Sequence, residues 1–256
     1  MLGCATLLCV FSLAGCAWAS DETAAGQEVT AEDDAGALLD EVEQMDLKEQ
    51  YQAAGERYGQ LNELFGELQT EISDDAWTDN GGRSEIVPGQ GNSLGRAPEG
   101  ATGENSYFFT VSRWQATDQD VHTVLEDVAE SWQERGWEVQ SQGGNEAHVD
   151  IRVTALTTDG YWFALEEDTK NQRLVLRGQS PVYWGPLDAI QEAIVERADA
   201  EDAAGQTWDT TDRDDGTGQA DRQPGEHRPF PEWSALEHHT PVPTSESPPE
   251  WKTRDS

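Results

Sequence analysis

Between Leu47 and Ile72 apolar residues recur at alternating intervals of four and three, at Leu47, Tyr51, Ala54, Tyr58, Leu61, Phe65, Leu68 and Ile72. That spacing lays one apolar stripe along a helix of about seven turns, and an amphipathic helix is expected over residues 36–73. Gly55 and Gly59 each lower its stability by up to about 1 kcal/mol relative to alanine, so packing must hold it. Two supports are open: the chain's own sheet, or a partner helix in a coiled coil. Tyr and Ala at the seam positions are not typical of a strong zipper.

Residues 105–199 carry the pattern of a folded α+β domain. Tyr107 to Trp114 is aromatic and β-branched, which predicts a strand. Thr117 or Asp118 can cap a helix whose apolar face is Val121, Val124, Leu125, Val128 and Trp132, closed by Gly136 in the C′ position. Strand patterns follow at Trp137–Gln142, at Ala147–Leu156 and at Tyr161–Glu166, and a further turn leads to Leu174-Val175-Leu176-Arg177. In the second of these, Val149, Ile151, Val153 and Ala155 alternate with polar residues, so one face is core and the other wet. Leu187, Ile190, Ala193, Ile194 and Arg197 form one side of a final helix. The expected order is β-α-β-β-β-α, a small mainly antiparallel sheet with helices on one face.

The flanks read differently. Residues 16–35 are acidic and almost without apolar side chains, a self-repelling tether. Residues 74–104 form a Gly/Pro-rich linker, in which Trp77 and Ile86-Val87 are the groups able to pin to the core. Residues 200–256 are acidic and Pro-rich, with apolar residues confined to Trp208, Phe230, Trp233, Leu236 and Trp251, and are expected to be a disordered tail.

At the amino end, residues 1–15 contain Leu2, Leu7, Leu8, Val10, Phe11, Leu13 and Ala14 and no charged side chain. A run of about 13 apolar residues is too short to span a bilayer, which takes about 20, and fits a signal-peptide core. It ends in Leu13-Ala14-Gly15-Cys16, which resembles a lipobox: a diacylglyceryl group would be joined to Cys16 and cleavage would leave Cys16 first. No basic residue precedes Lys48, whereas such signals usually open with one. Ala17-Trp18-Ala19 also has the small-x-small form that precedes ordinary secretory cleavage, here before Ser20. The expected location is the outer face of the cell membrane, through lipidated Cys16; the alternative is free secretion. The lipobox, the acidic segment after it, the β-α-β-β-β core and the exit segment Ser180-Pro181-Val182-Tyr183-Trp184 are together similar to the LppA-like lipoproteins of actinobacteria. That resemblance implies a location and a shape, and no activity. Many such proteins carry a cysteine just after the Ser/Thr-Pro step, where this chain has Val182.

Charge and chemistry narrow the function from the other side. With 51 acidic and 16 basic side chains the chain carries −35, and would be repelled by nucleic acid. All three cysteines, Cys4, Cys9 and Cys16, lie in the first 16 residues, so the mature chain holds no disulfide and no cysteine metal site. His238-His239 beside Glu237 is a poor preformed zinc site, since zinc takes three or four ligands. His122 reads as a surface histidine on a helix. No Gly-x-Ser-x-Gly or Ser-x-x-Lys motif places a nucleophile, and no cofactor or metal is expected. Trp184 and Tyr183, in the irregular Tyr183-Trp184-Gly185-Pro186 segment, are the candidate contact surface. The expected function is a non-catalytic binding or interaction module of the envelope, with an envelope protein or cell-wall polymer as partner. The alternatives are an envelope hydrolase, or a carrier of an apolar ligand held between the sheet and the N-terminal helix.

Overall fold

The computed structural model describes residues 31–79, 84–91, 96–143, 151–205 and 220–238. In chain order the elements are α1 (Leu39–Gln44), α2 (Leu47–Ile72), β1 (Trp77–Asp79), β2 (Glu85–Pro88) and a 3-10 turn (Gly89–Gly91). There follow β3 (Ser106–Ala116), α3 (Val121–Glu134), β4 (Glu138–Gln142), β5 (Arg152–Leu156), β6 (Trp162–Asp168) and β7 (Arg173–Gln179). β8 (Tyr183–Trp184), α4 (Leu187–Ala203), β9 (Ala220–Arg222) and α5 (Ala235–His238) complete them.

The expected helix over 36–73 is broken at Asp46. Its carboxylate accepts a hydrogen bond from Glu49 N at 2.9 Å and the Glu49 side chain accepts from Asp46 N at 2.9 Å, a capping box that starts α2. Tyr51, Ala54, Tyr58, Leu61, Phe65 and Leu68 of the predicted stripe are buried, and α2 packs against β3, β7, α3 and α4. The stripe therefore faces the chain's own sheet. Gly178 makes the close approach possible, because a Cβ there would lie 3.0 Å from the Phe65 ring.

The sheet is antiparallel, ordered β4-β5-β6-β7-β3-β1-β9. β3 is 11 residues long and has neighbours along both edges: β7 and then β8 on one, β1 and then β2 on the other. The α+β class is as expected, but the strand order is not. Five strands, β4 to β8, separate α3 from α4, and β1, β2 and β9 come from the segments read as linker and tail. Inward rows from β3, β5, β6 and β7 join α2 and α3 in one core that includes Phe109, Val111, Trp132, Val153, Phe163 and Leu176. α3 is capped by Asp120, whose carboxylate accepts from His122 N at 3.1 Å, rather than by Thr117 or Asp118. Gly136 adopts φ +79°, as a C′ glycine should.

The opposite face of the sheet carries arginines held by carboxylates. Arg177 Nε lies 2.7 Å and Arg152 Nε 3.4 Å from the two oxygens of Glu166, and Arg173 Nε is 2.8 Å from Asp168. The Arg173 guanidinium also sits over the Trp114 ring at 4.8 Å.

Residues 220–238 correct the expectation of a tail without order. β9 pairs with β1, and a buried ion pair, Arg222 Nε to Asp79 Oδ2 at 2.5 Å, joins them. The chain then crosses α2, where Tyr51 donates to the Pro231 carbonyl at 2.9 Å and Tyr58 to that of Arg228. Phe230 packs against Tyr51, Tyr58 and Phe109. Arg197 lies 3.6 Å over the Trp233 ring and donates to the Trp233 carbonyl. The crossing is close: a Cβ on Gly66 would lie 2.6 Å from the Gly225 Cα, and Gly225 itself has φ +82°. Two partly buried aromatic side chains packed on the core edge, Phe230 and Trp233, help offset the ordering of this short run.

Candidate ligand-binding site

α4 turns Leu187, Ile190, Ala193, Ile194 and Arg197 inward, which leaves Asp188, Gln191, Glu192, Val195 and Glu196 along its outer side. Gln191 Nε2 donates to the Ile86 carbonyl at 3.1 Å and so fixes α4 beside the edge strand β2. Between them lies an open groove of about 710 Å³. Its floor is Tyr58, Phe109 and Phe230, and its walls are Ile86, Ile194 and Val195. Val195 is 58% exposed, a large apolar side chain left at the mouth. The volume falls in the range of small-molecule sites, which are mostly apolar with a few placed polar groups.

The charged groups here are of one sign. Glu85, Asp188, Glu192 and Glu196 line the groove, and the lining includes no Lys, Arg or His. Glu196 lies 3.9 Å from Arg197; Glu85, Asp188 and Glu192 have no ion-pair partner among the described residues. Ser84, at one end, donates to Asn62 Oδ1 at 2.9 Å.

Trp184 and Tyr183, expected as an exposed contact surface, are 1% and 2% exposed. They hold the segment before α1. Trp184 Nε1 donates to the Ala31 carbonyl and Trp184 N to Asp33 Oδ2, both at 3.1 Å. Val182 N donates to Asp34 Oδ2 at 3.1 Å, so the last residues of the presumed tether are docked on β8. Asp33 Oδ1 accepts from Ala35 N and Ala37 N, and Oδ2 lies 3.7 Å from Arg57 Nη2. Arg57 stacks 4.2 Å over the Tyr183 ring and donates to Tyr107 Oη at 2.8 Å. Tyr183 in turn donates to Tyr161, and Tyr161 to Gln60 Oε1 at 3.0 Å. The short β8 pairs with β3, so its side chains are covered where the Gly-Pro neighbours suggested an irregular, exposed turn.

Burial raises the pKa of Tyr107, Tyr161 and Tyr183 above the usual phenol value, with Arg57 opposing it in each case. These hydroxyls are therefore neutral donors at physiological pH and not phenolate nucleophiles. The linkage has a definite sign. Above about pH 10 the unfolded chain releases these protons while the fold retains them, so the stability present below pH 10 is lost as pH rises further. Tyr107, Tyr161 and Tyr183 are expected to ionise above the usual phenol range, and a pH titration of tyrosinate absorbance alongside far-ultraviolet circular dichroism will show that ionisation accompanied by loss of structure.

The other sequence candidates do not converge. His122 is exposed at the start of α3. His239 and the side chains of Glu237 and His238 lie outside what the structure describes, as do Leu13, Ala14, Gly15 and Cys16. Among the described residues there is no group of three or more His, Cys, Asp or Glu placed to hold a metal, and no helix long and apolar enough to cross a membrane. The groove itself escaped sequence reading, because Ile86 and Phe230 sit in segments without periodicity. Its one linear trace is the acidic row Asp188, Glu192, Glu196 interrupted by Val195. No protein-family model matches the chain, and no curated protein or solved structure is significantly similar to it.

Proposed function

We propose that the chain is an extracytoplasmic lipoprotein, anchored in the cell membrane through Cys16, that acts as a non-catalytic binding module of the envelope and receives an apolar ligand in the groove between α4 and β2. The observation that carries the binding part is the groove itself, an apolar recess in which the partly exposed Phe230 and Ile86 lie beside the exposed Val195, over a base formed by the buried Tyr58 and Phe109. It adjoins the N-terminal helix through Tyr58, whereas the rest of the α2 stripe is packed on the sheet and leaves the ligand the space between α4 and β2. The anchoring part rests on the Leu13-Ala14-Gly15-Cys16 sequence and on the resemblance to LppA-like lipoproteins.

Each part has its own test. The full chain will incorporate a clickable fatty acid in an actinobacterial host, and Cys16→Ala will not. A native chain that takes up no label and begins at Ser20 in the medium removes the anchor. For the groove, the neutral dye Nile red will bind with a blue-shifted emission, and Val195→Glu will weaken it by placing a charge at the apolar mouth. Binding unchanged in that variant would locate the dye elsewhere and remove the groove from the function.

A further inference from the structure

Resting on the reading of the groove as a binding site, we infer that its ligand is a small cationic amphiphile, with an apolar body on the Tyr58-Phe109-Phe230 floor and a positively charged head at the α4 rim. Three carboxylates on one side of α4, Asp188, Glu192 and Glu196, follow one another at intervals of four, and Glu85 faces them from β2. Like charges at that spacing lie about 6 Å apart and oppose the helix. The chain does little to relieve them: the last turn of α4 has no basic residue, and Arg197 approaches only Glu196, at 3.9 Å. An anionic amphiphile would meet this rim unfavourably, and a neutral one would leave it unused. An ammonium or guanidinium group at the mouth would meet carboxylates on two sides while its chain displaced water from Phe230, Ile86 and Val195. The volume of about 710 Å³ suits a molecule of drug size.

A chain of −35 attracts cations everywhere, so the test must separate this rim from the general field. Decyltrimethylammonium, decyl maltoside and decyl sulfate are compared, each below its micelle concentration and at one ionic strength, by displacement of Nile red from the Cys16→Ala protein. The cationic chain is expected to bind about tenfold more tightly than the neutral one, as two exposed ion pairs would give, and the anionic chain most weakly. Asp188→Asn combined with Glu192→Gln should bring the cationic and neutral chains to parity. Asp127→Asn combined with Glu134→Gln, which removes the same charge from exposed positions of α3, should leave the preference intact. A preference that survives the α4 pair, or falls equally with the α3 pair, overturns the inference while leaving an apolar groove. Failure of all three chains to displace the dye overturns the groove reading itself.

Discussion

Replacing Asp79 with alanine will destabilise the fold by about 3–5 kcal/mol, the range for removing one partner of a buried pair. The effect is larger than a lost salt bridge because two guanidinium groups depend on this carboxylate. Arg222 pairs with it directly, each side chain being 7% exposed. Arg113 lies in the same buried layer, donating to Gln69 Oε1 at 2.9 Å and to the Glu226 carbonyl. Burial lowers the Arg113 pKa to about 10, with Asp79 opposing that shift and Arg222 adding to it. Without Asp79 both guanidinium groups lose the carboxylate that offsets their burial and their mutual repulsion. Thermal unfolding should show a fall on the order of 10 °C for a chain of this size. The double variant Asp79→Ala with Arg222→Met should recover more than half of the loss, since removing both charges avoids the orphaned one. Equal destabilisation in the single and double variants would mean that the β1–β9 pairing, and not the charge, carries the effect.

Asp33→Ala is the second large effect, expected at about 3 kcal/mol, as for a buried carboxylate accepting several hydrogen bonds. Its side chain is fully covered. It closes the Ala35 and Ala37 turn on one oxygen and holds Trp184 N with the other. Removing it leaves Trp184 N without its acceptor and Arg57 without its counter-charge, while the Arg57 contacts to Tyr107 and Tyr183 persist. Urea unfolding will report the loss, and limited proteolysis will report where it acts: cleavage near residues 31–38 should accelerate many-fold before the sheet is cut. Asp33→Asn should fall between, because its amide oxygen can still accept while the charge is gone.

Legibility followed length and repetition. α2 and α3 have apolar faces repeated over several turns, which their spacing predicts, and β5 is predicted by its alternation. β1, β2 and β9 have three or four residues each, too few for a period to emerge among glycines and prolines. β1 and β2 form because β3, with 11 residues, offers them the edge opposite to β7, and β9 then adds to β1. Phe230 and Trp233 are single aromatics in a polar run, and nothing local distinguishes them from Trp208 or Trp251. Their partners, Tyr51 and Tyr58, are some 170 to 180 residues earlier. Trp184 misled for the same reason in reverse: glycine and proline beside it describe the turn into α4, whereas its burial is decided by Asp33 and Ala31. The candidate site combines both difficulties, since a readable acidic row on α4 gains meaning only when β2 and Phe230 supply the floor.

The Asp33 clamp also sets a leash. If Cys16 is the membrane anchor as proposed, sixteen residues lie between it and a point bolted to β8, and a chain of that length reaches at most about 60 Å. On the proposed anchoring, Asp33 and the β8 end of the fold would stay within that reach of the membrane. Tension on the anchor would be delivered at β8, beside the central strand, rather than at a loose end.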